Sequence, residues 1–586
     1  MRHIVLALCT LSLACSTIPR SAITEGPTVP GHALVVSASA PASRVGAQVM
    51  QQGGNAVDGA VATAFALAVT FPEAGNLGGG GFMLIHFPDD RQPVCVDYRE
   101  TAPAAVNANT FAGTQDRTAA RLAGVPGTVR GLALAHQSYG KLPWRDLIQP
   151  AIALARDGYV LDADKAATLN RVLAANPGNA ELHRVYGRPD AAPWHEGDHI
   201  VQPDLAQTLQ LIADRGPDAF YTGPIADRIV AEIRRDGGLM TQSDLAGYNA
   251  KIRQPLITRY DAGQNARNVR VILPPPPSSG GVAIIEMLHT LDRLCLNDNI
   301  GRPYQSTTLH VLTEVQRRAY ADRAKYLGDP DFVPVDAIVQ RLTGWDHADQ
   351  LRQSIDMNKA TASDALPDAP KLSPPQTAAP VADTDIFVRG STTHFSVIDP
   401  NGMAVANTYT LEQSFGGKIV VAGAGFLLNN ELGDFNPQPG VTTRAGQIGT
   451  DANLPAPGKR PLSSMTPTIV TDATGKVLLI TGSPGGRTII NTVLRILVNR
   501  FDYHMSPRQC IDAPRHHHQW FPDQIQVEPA LAGEHAAELD RLRQFGHAID
   551  PTPHRQGDAH SIFLDDDGQS YLGVADQRRA GAAAGY

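Results

Sequence analysis

The sequence predicts a layered α/β fold, and three observations point to it. The front half carries amphipathic helical patterns, the part after residue 391 turns to strands with few helices, and a polar stretch divides the two. A length of 586 residues alone would suggest about three or four average domains. No internal repeat and no charged linker separates self-sufficient halves, so one large layered unit is expected. At 42% hydrophobic and 18% charged residues the chain has an ordinary globular composition. The net charge of -8 comes without a Lys/Arg stripe, which excludes the footprint of a nucleic-acid binder.

The chain opens on a short basic start and an apolar run from Ile4 to Ala14, too short to span a membrane as a helix. It reads as an export signal within residues 1–22, either cleaved or ending before a lipidated Cys15; both readings place the protein in the periplasm or outside the cell. Residues 41–69 read as two alanine-rich helices broken at Gly53-Gly54-Asn55. Val45, Val49, Val57, Val61 and Phe65 fall at spacings of four or its double, a buried helix face. Strands are expected at 81–87 and 94–98, and helices around 144–157, 204–214, 224–235, 281–295 and 306–326. Residues 357–390 are Ala, Pro, Asp, Ser and Thr with few large apolar side chains. That composition predicts a disordered tether. Further helices are expected at 488–500 and 534–545. Cys95, Cys295 and Cys510 form no metal or redox motif and read as small buried hydrophobes.

The tether ends at Ser391-Thr392-Thr393-His394, where a β-hairpin begins. Residues 393–398 alternate as a strand, Asp399-Pro400-Asn401-Gly402 is a turn signal, and residues 403–410 return. If Pro400-Asn401-Gly402 form the loop, Asp399 pairs with Met403 and Thr392 lies opposite Thr410. Opposed side chains on one face have Cβ atoms about 4.5–5.5 Å apart, so two hydroxyls meet at the junction. A hydroxyl is a poor nucleophile without a base. Cutting the chain between Ser391 and Thr392 would supply one, because a free α-amino group has a pKa of about 7.7–8.0. Thr392 Oγ is also placed to drive that cut by attacking the Ser391 carbonyl.

The runs Gly75-Asn76-Leu77-Gly78-Gly79-Gly80-Gly81, Asp97-Tyr98-Arg99-Glu100, Pro275-Pro276-Pro277-Ser278-Ser279-Gly280-Gly281, Asn429-Asn430-Glu431, Leu462-Ser463-Ser464-Met465 and Ser483-Pro484-Gly485-Gly486, in this order, resemble the γ-glutamyltranspeptidases, or glutathione hydrolases. The resemblance runs from about residue 32 to Tyr586. It implies the αββα sandwich of the N-terminal-nucleophile hydrolases, built jointly by a large subunit (23–391) and a small one (392–586) after self-cleavage. It implies no cofactor and no metal. The donor would be glutathione or another γ-glutamyl amide, and the acceptor water, an amino acid or a dipeptide.

Roles follow residue by residue from that resemblance. Thr392 would be the nucleophile, oriented by Thr410. Gly485 and Gly486, before a helix start whose N–H groups are unpaired, would form an oxyanion hole. Arg99 would bind the substrate α-carboxylate, with Ser463 and Ser464 adding hydroxyl donors, and Glu431 and Asp434 would grip the α-ammonium. Glu412 departs from the asparagine of better-known members and would accept from the ammonium. The loop 437–459 resembles a lid, but Thr443-Arg444-Ala445 carries no aromatic gate. The glycine run at 75–81 lacks the Lys-Ser/Thr of a phosphate loop and is explained by close backbone packing. His516-His517-His518 lacks a usual zinc spacing and reads as structural. Two alternatives stand beside this reading. An acylase of the same family, acting on a glutaryl or cephalosporin side chain, would not need Glu431 and Asp434. A non-catalytic exported binding protein would not need Thr392, Thr410 and Gly485-Gly486.

Overall fold

The computed structural model describes residues 22–113, 117–261, 268–296, 300–374 and 392–586. The expected signal, with Cys15, and Ser391 lie outside the described residues. Two antiparallel sheets form the centre. The eight-stranded sheet runs, in spatial order, 24–26, 582–585, 34–37, 393–398, 404–410, 80–86, 94–97 and 251–253. The seven-stranded sheet runs 28–31, 571–575, 560–564, 477–481, 468–471, 269–273 and 256–260. Each sheet interleaves segments from before and after residue 392. The hairpin 393–410 is therefore a central pair, flanked by 34–37 on one side and 80–86 on the other.

Alternation along the hairpin sorts its side chains. Phe395, Val397, Val405 and Tyr409 join one core with helices Ala40–Gln51 and Ala56–Thr70. Ile398, Ala404 and Ala406 join a second core with Ile469, Leu479, Ile480 and Ile562 of the other sheet and with helices Gly280–Leu294, Ser306–Tyr326 and Thr488–Phe501. Such packing is what a helix–sheet–sheet–helix stack requires. The break between the first two helices falls where expected: Gly53 takes φ 106°, and Asn55 with Asp58 closes a capping box on the second helix.

Two expectations are corrected. Residues 357–374 are not a loose tether. Ser363 is buried; its Oγ donates to Trp520 O and accepts from Arg317, and the Trp520 indole donates back to Ser363 O at 2.9 Å. Ser373 N donates to Thr442 O at 2.8 Å, tying the segment to the 437–459 loop. Order there comes from polar partners, which apolar content does not reveal; residues 375–390 lie outside the described set. Cys295 is exposed rather than buried, because it caps helix Gly280–Leu294 in the left-handed conformation at φ 50°, whereas Cys95 and Cys510 are buried.

Candidate active site

The hairpin register is the counted one. Thr393 pairs with Tyr409 and Ile398 with Ala404, which sets Thr392 against Thr410. Thr392 Oγ donates to Thr410 Oγ at 3.2 Å, and Thr410 Oγ also accepts the Glu412 N–H at 2.8 Å. Thr392 and Thr410 are 5% and 2% exposed, so the pair is held in a buried polar pocket. The glycine run makes room for it. A Cβ at Gly79 would stand 1.9 Å from the Thr410 carbonyl oxygen, and Asn76 Nδ2 donates to that same oxygen at 3.0 Å. His394, two residues on, bonds Thr408 Oγ and Ser396 Oγ; burial holds its pKa well below the ordinary range, so it is neutral.

Strand 477–481 delivers the candidate oxyanion loop. Gly482 packs on the His394 ring, and Gly485 and Gly486 follow at φ 129° and 56°, values that favour glycine. Their carbonyls accept from Thr488 and Ile489 N–H at 3.1 and 3.2 Å, opening the helix. A cleft of about 620 Å³ adjoins this loop, with Pro484, Gly485, Thr488, Gln413 and Ser414 among its lining residues.

On the other side of Thr410 lies a dense charge cluster. Strand 80–86 pairs with 404–410, and a Cβ at Gly80 would meet the Glu100 carboxylate at 2.8 Å. Arg99, 1% exposed, pairs through Nη1 with Glu431 and through Nη2 with Asp434; Glu100 lies 3.6 Å from Nη1. Glu412 accepts from Asn430 Nδ2 and adds its charge to the same group. Three carboxylates thus crowd one arginine, and Glu412 stands near Glu431. Burial pushes the Glu100 carboxyl up to about 7 against the pull of Arg99. Burial also raises Glu431 well above the carboxylate range; Arg99 opposes this, and Glu100, Asp434 and Glu412 reinforce it by repulsion. Glu431 Oε2 has no hydrogen-bond partner among the described residues.

Ser463 and Ser464 stand beside this group. Arg99 Nε donates to Pro461 O at 3.2 Å and Nη2 to Leu462 O at 3.5 Å, so the guanidinium holds the segment leading to both serines. Ser463 Oγ caps Met465 N. Ser464 Oγ accepts from Arg323 Nη2 at 3.0 Å, and Arg323 Nε donates to Ser279 Oγ at 2.8 Å. Sequence reasoning missed Arg323. It is buried on helix Ser306–Tyr326 and makes no ion pair among the described residues. Burial, then repulsion from Arg487, lowers its pKa to about 10, so it stays a cation at neutral pH. Nothing in its local sequence separates it from a surface arginine. Glu100 and Asn76 were also missed as site residues, although they sit inside the quoted motifs.

The histidine run falls outside the site, whereas the 437–459 loop reaches it through Asn453, whose Nδ2 donates to Asp434 O at 2.7 Å. His516, His517 and His518 are buried, and burial lowers all three pKa values; His517 bonds Asn491 and Gln519, and His518 bonds Asp523. The 437–459 loop is anchored by Thr450 Oγ, which donates to Ala324 O at 2.6 Å, and by the exposed Arg444–Asp364 pair. No described helix is long and apolar enough to cross a membrane.

A central hairpin ending on a hydroxyl pair, beside a charged pocket and a glycine loop, defines an N-terminal-nucleophile hydrolase architecture. The chain belongs to the gamma-glutamyltranspeptidase family, whose model matches residues 42–586. It is 40% identical over 562 residues to the glutathione hydrolase proenzyme of Escherichia coli K12, covering 94% of this chain and 92% of that one. It is 39% identical over 580 residues to the glutathione hydrolase proenzyme of Pseudomonas aeruginosa, covering 98% of each. Among solved structures it resembles the Helicobacter pylori gamma-glutamyltranspeptidase, with a TM-score of 0.52, 37% identity, and coverage of 55% of this chain and 91% of that one. A cephalosporin acylase from Bacillus halodurans superposes over 99% of both chains with a TM-score of 0.80 at 22% identity, a likeness of fold alone.

Proposed function

We propose that the protein is a glutathione hydrolase and γ-glutamyltransferase that cuts itself between Ser391 and Thr392. It then carries the γ-glutamyl group on Thr392 Oγ. The observation that carries this reading is the charge cluster: an arginine for an α-carboxylate, next to a surplus of carboxylates that calls for an ammonium. A γ-glutamyl group offers both charges on one carbon. Its carboxylate would take donors from Arg99, Ser463 and Ser464. Its ammonium would enter among Glu431, Asp434 and Glu412 and favour the ionised form of Glu431.

Maturation and turnover share one geometry. Thr392 Oγ attacks the Ser391 carbonyl, the amide nitrogen of Thr392 leaves as the new amine, and water opens the ester. The freed amine then takes the Oγ proton, directly or through one water, as Oγ attacks the γ-carbonyl. Thr410 Oγ fixes the direction of that hydroxyl. The Gly485 and Gly486 N–H groups are the donors for the developing oxyanion. The amine or peptide leaves with a proton, and water or an amino acid takes the acyl group. After the cut, the fragments stay paired because both sheets interleave them.

The glutaryl acylase reading is the weaker one. A glutaryl group has no ammonium, so it would leave Glu431 and Asp434 desolvated without a counter-charge. A chromogenic γ-glutamyl amide, assayed with and without a dipeptide acceptor, tests the proposal. Release of chromophore that the dipeptide accelerates supports it; absence of turnover by the two-fragment protein rejects it.

A further inference from the structure

We infer that Glu286, Asp322 and His347 form a binding site for a first-row divalent cation such as Zn²⁺, remote from the reacting threonine in sequence and separate from its pocket. The three ligands come from three helices, Gly280–Leu294, Ser306–Tyr326 and Trp345–Gln353. Their ligand atoms all lie within 4.8 Å of one another. His347 Nε2 is 3.1 Å from Asp322 Oδ2 and 3.7 Å from Glu286 Oε1. Ligands at the usual zinc distances of about 2.0–2.2 Å, arranged as a tetrahedron, stand roughly 3.3–3.6 Å apart, between those two values. Glu286 is 1% exposed, and neither of its oxygens has a hydrogen-bond partner among the described residues. A buried carboxylate left without donors, aimed at a second carboxylate and an imidazole, is a site built for a cation.

A second cluster with similar donors shows what distinguishes this one. His310, Glu314 and His547 also lie within 4.8 Å of one another. There Glu314 is already paired with Arg317 and Arg318, and the two imidazoles bond each other at 2.8 Å. Two fixed guanidinium groups fill the role of the metal and repel one. Glu286 and Asp322 have no Lys or Arg ion pair among the described residues.

No spacing rule finds such a site, because its ligands are spread over residues 286 to 347. Its effect would be to clamp helix Trp345–Gln353 onto the two long helices, one of which carries Arg323 next to Asp322. The test uses untagged full-length protein, stripped with a chelator, equilibrated with Zn²⁺ and desalted. About one equivalent of zinc by elemental analysis, with a melting temperature several degrees above the stripped protein, is the expected result. Glu286→Gln and His347→Gln should each keep less than a tenth of that zinc and melt at the same temperature with and without it. Stripped and zinc-treated wild-type protein that melt together and hold no zinc would overturn the site, as would full retention of zinc by both variants.

Discussion

The nucleophile hairpin and the recognition pocket lie on either side of Thr410, yet they are built on different principles. The hairpin contains no charged side chain near its reacting end: Thr392, Thr410 and a neutral His394 are placed by strand register and main-chain hydrogen bonds. The pocket is assembled from separate segments at 99–100, 412, 431–434 and 463–464, with Arg323 reaching in from a helix, and is held by charge. Position does the work in one and electrostatic balance in the other. Side-chain loss should therefore act in an all-or-none way in the hairpin, and by degrees in the pocket.

The sharpest way to break that contrast is Thr392→Ala. Without Oγ neither the self-cleavage nor the acyl transfer has a nucleophile, so the chain should remain in one piece and show no turnover. Gel electrophoresis and sequencing of the small fragment of the unmutated protein check this. A fragment beginning at any residue other than Thr392 would refute the assignment.

Arg99→Leu should come next in size. It removes the counter-charge to the substrate carboxylate and leaves Glu431 and Asp434 facing each other without their cation. Losing one partner of a buried charged pair costs about 2–5 kcal/mol, or roughly thirtyfold or more in KM. Cleavage at Thr392 should survive, since the hairpin does not use that charge. An unchanged KM for a γ-glutamyl amide would remove Arg99 from the pocket.

Asp434 sharpens the pocket's side of the comparison. The unmutated enzyme should prefer γ-glutamyl over glutaryl amides by roughly tenfold or more, because about 1.4 kcal/mol is already tenfold and a missing ammonium leaves buried carboxylates unpaired. Asp434→Asn should shrink that preference chiefly by slowing the γ-glutamyl substrate. Equal kcat/KM for both acyl groups in the unmutated enzyme would favour the acylase reading.

The same contrast explains what was legible in the sequence. Strand register follows a period of two, so one turn signal at Asp399-Pro400-Asn401-Gly402 sufficed to place Thr392 against Thr410. Helices with a one-sided apolar pattern, such as 144–157 and 224–235, were equally plain. Charges carry no such period. Arg99, Glu431 and Asp434 were found only through resemblance to a family, and Arg323 not at all, because a buried cation on a helix is written like an exposed one. Residues 357–374 failed for a related reason: Ser363 is ordered by Arg317, Asp523 and Trp520, partners far away in sequence.

Ser464→Ala probes the smallest effect and the least legible part of the pocket. Ser464 Oγ accepts from Arg323 Nη2 at 3.0 Å, which leaves its own proton to donate to the substrate carboxylate. The substitution removes one neutral donor to the ligand while Arg99 and Ser463 remain. A net hydrogen bond is worth about 1 kcal/mol, so KM should rise roughly fivefold with kcat nearly unchanged. Arg323→Met should raise KM further than Ser464→Ala, because it frees both Ser464 and Ser279 from the guanidinium and removes positive charge from the carboxylate side of the pocket. If Arg323 acts through Ser464 alone, the double variant should be no worse than Ser464→Ala; if it also attracts the substrate carboxylate directly, Ser464→Ala should retain a measurable dependence on Arg323. Either variant failing to cleave at Thr392 would show that pocket and hairpin are not separable, and the contrast between position and charge would not hold.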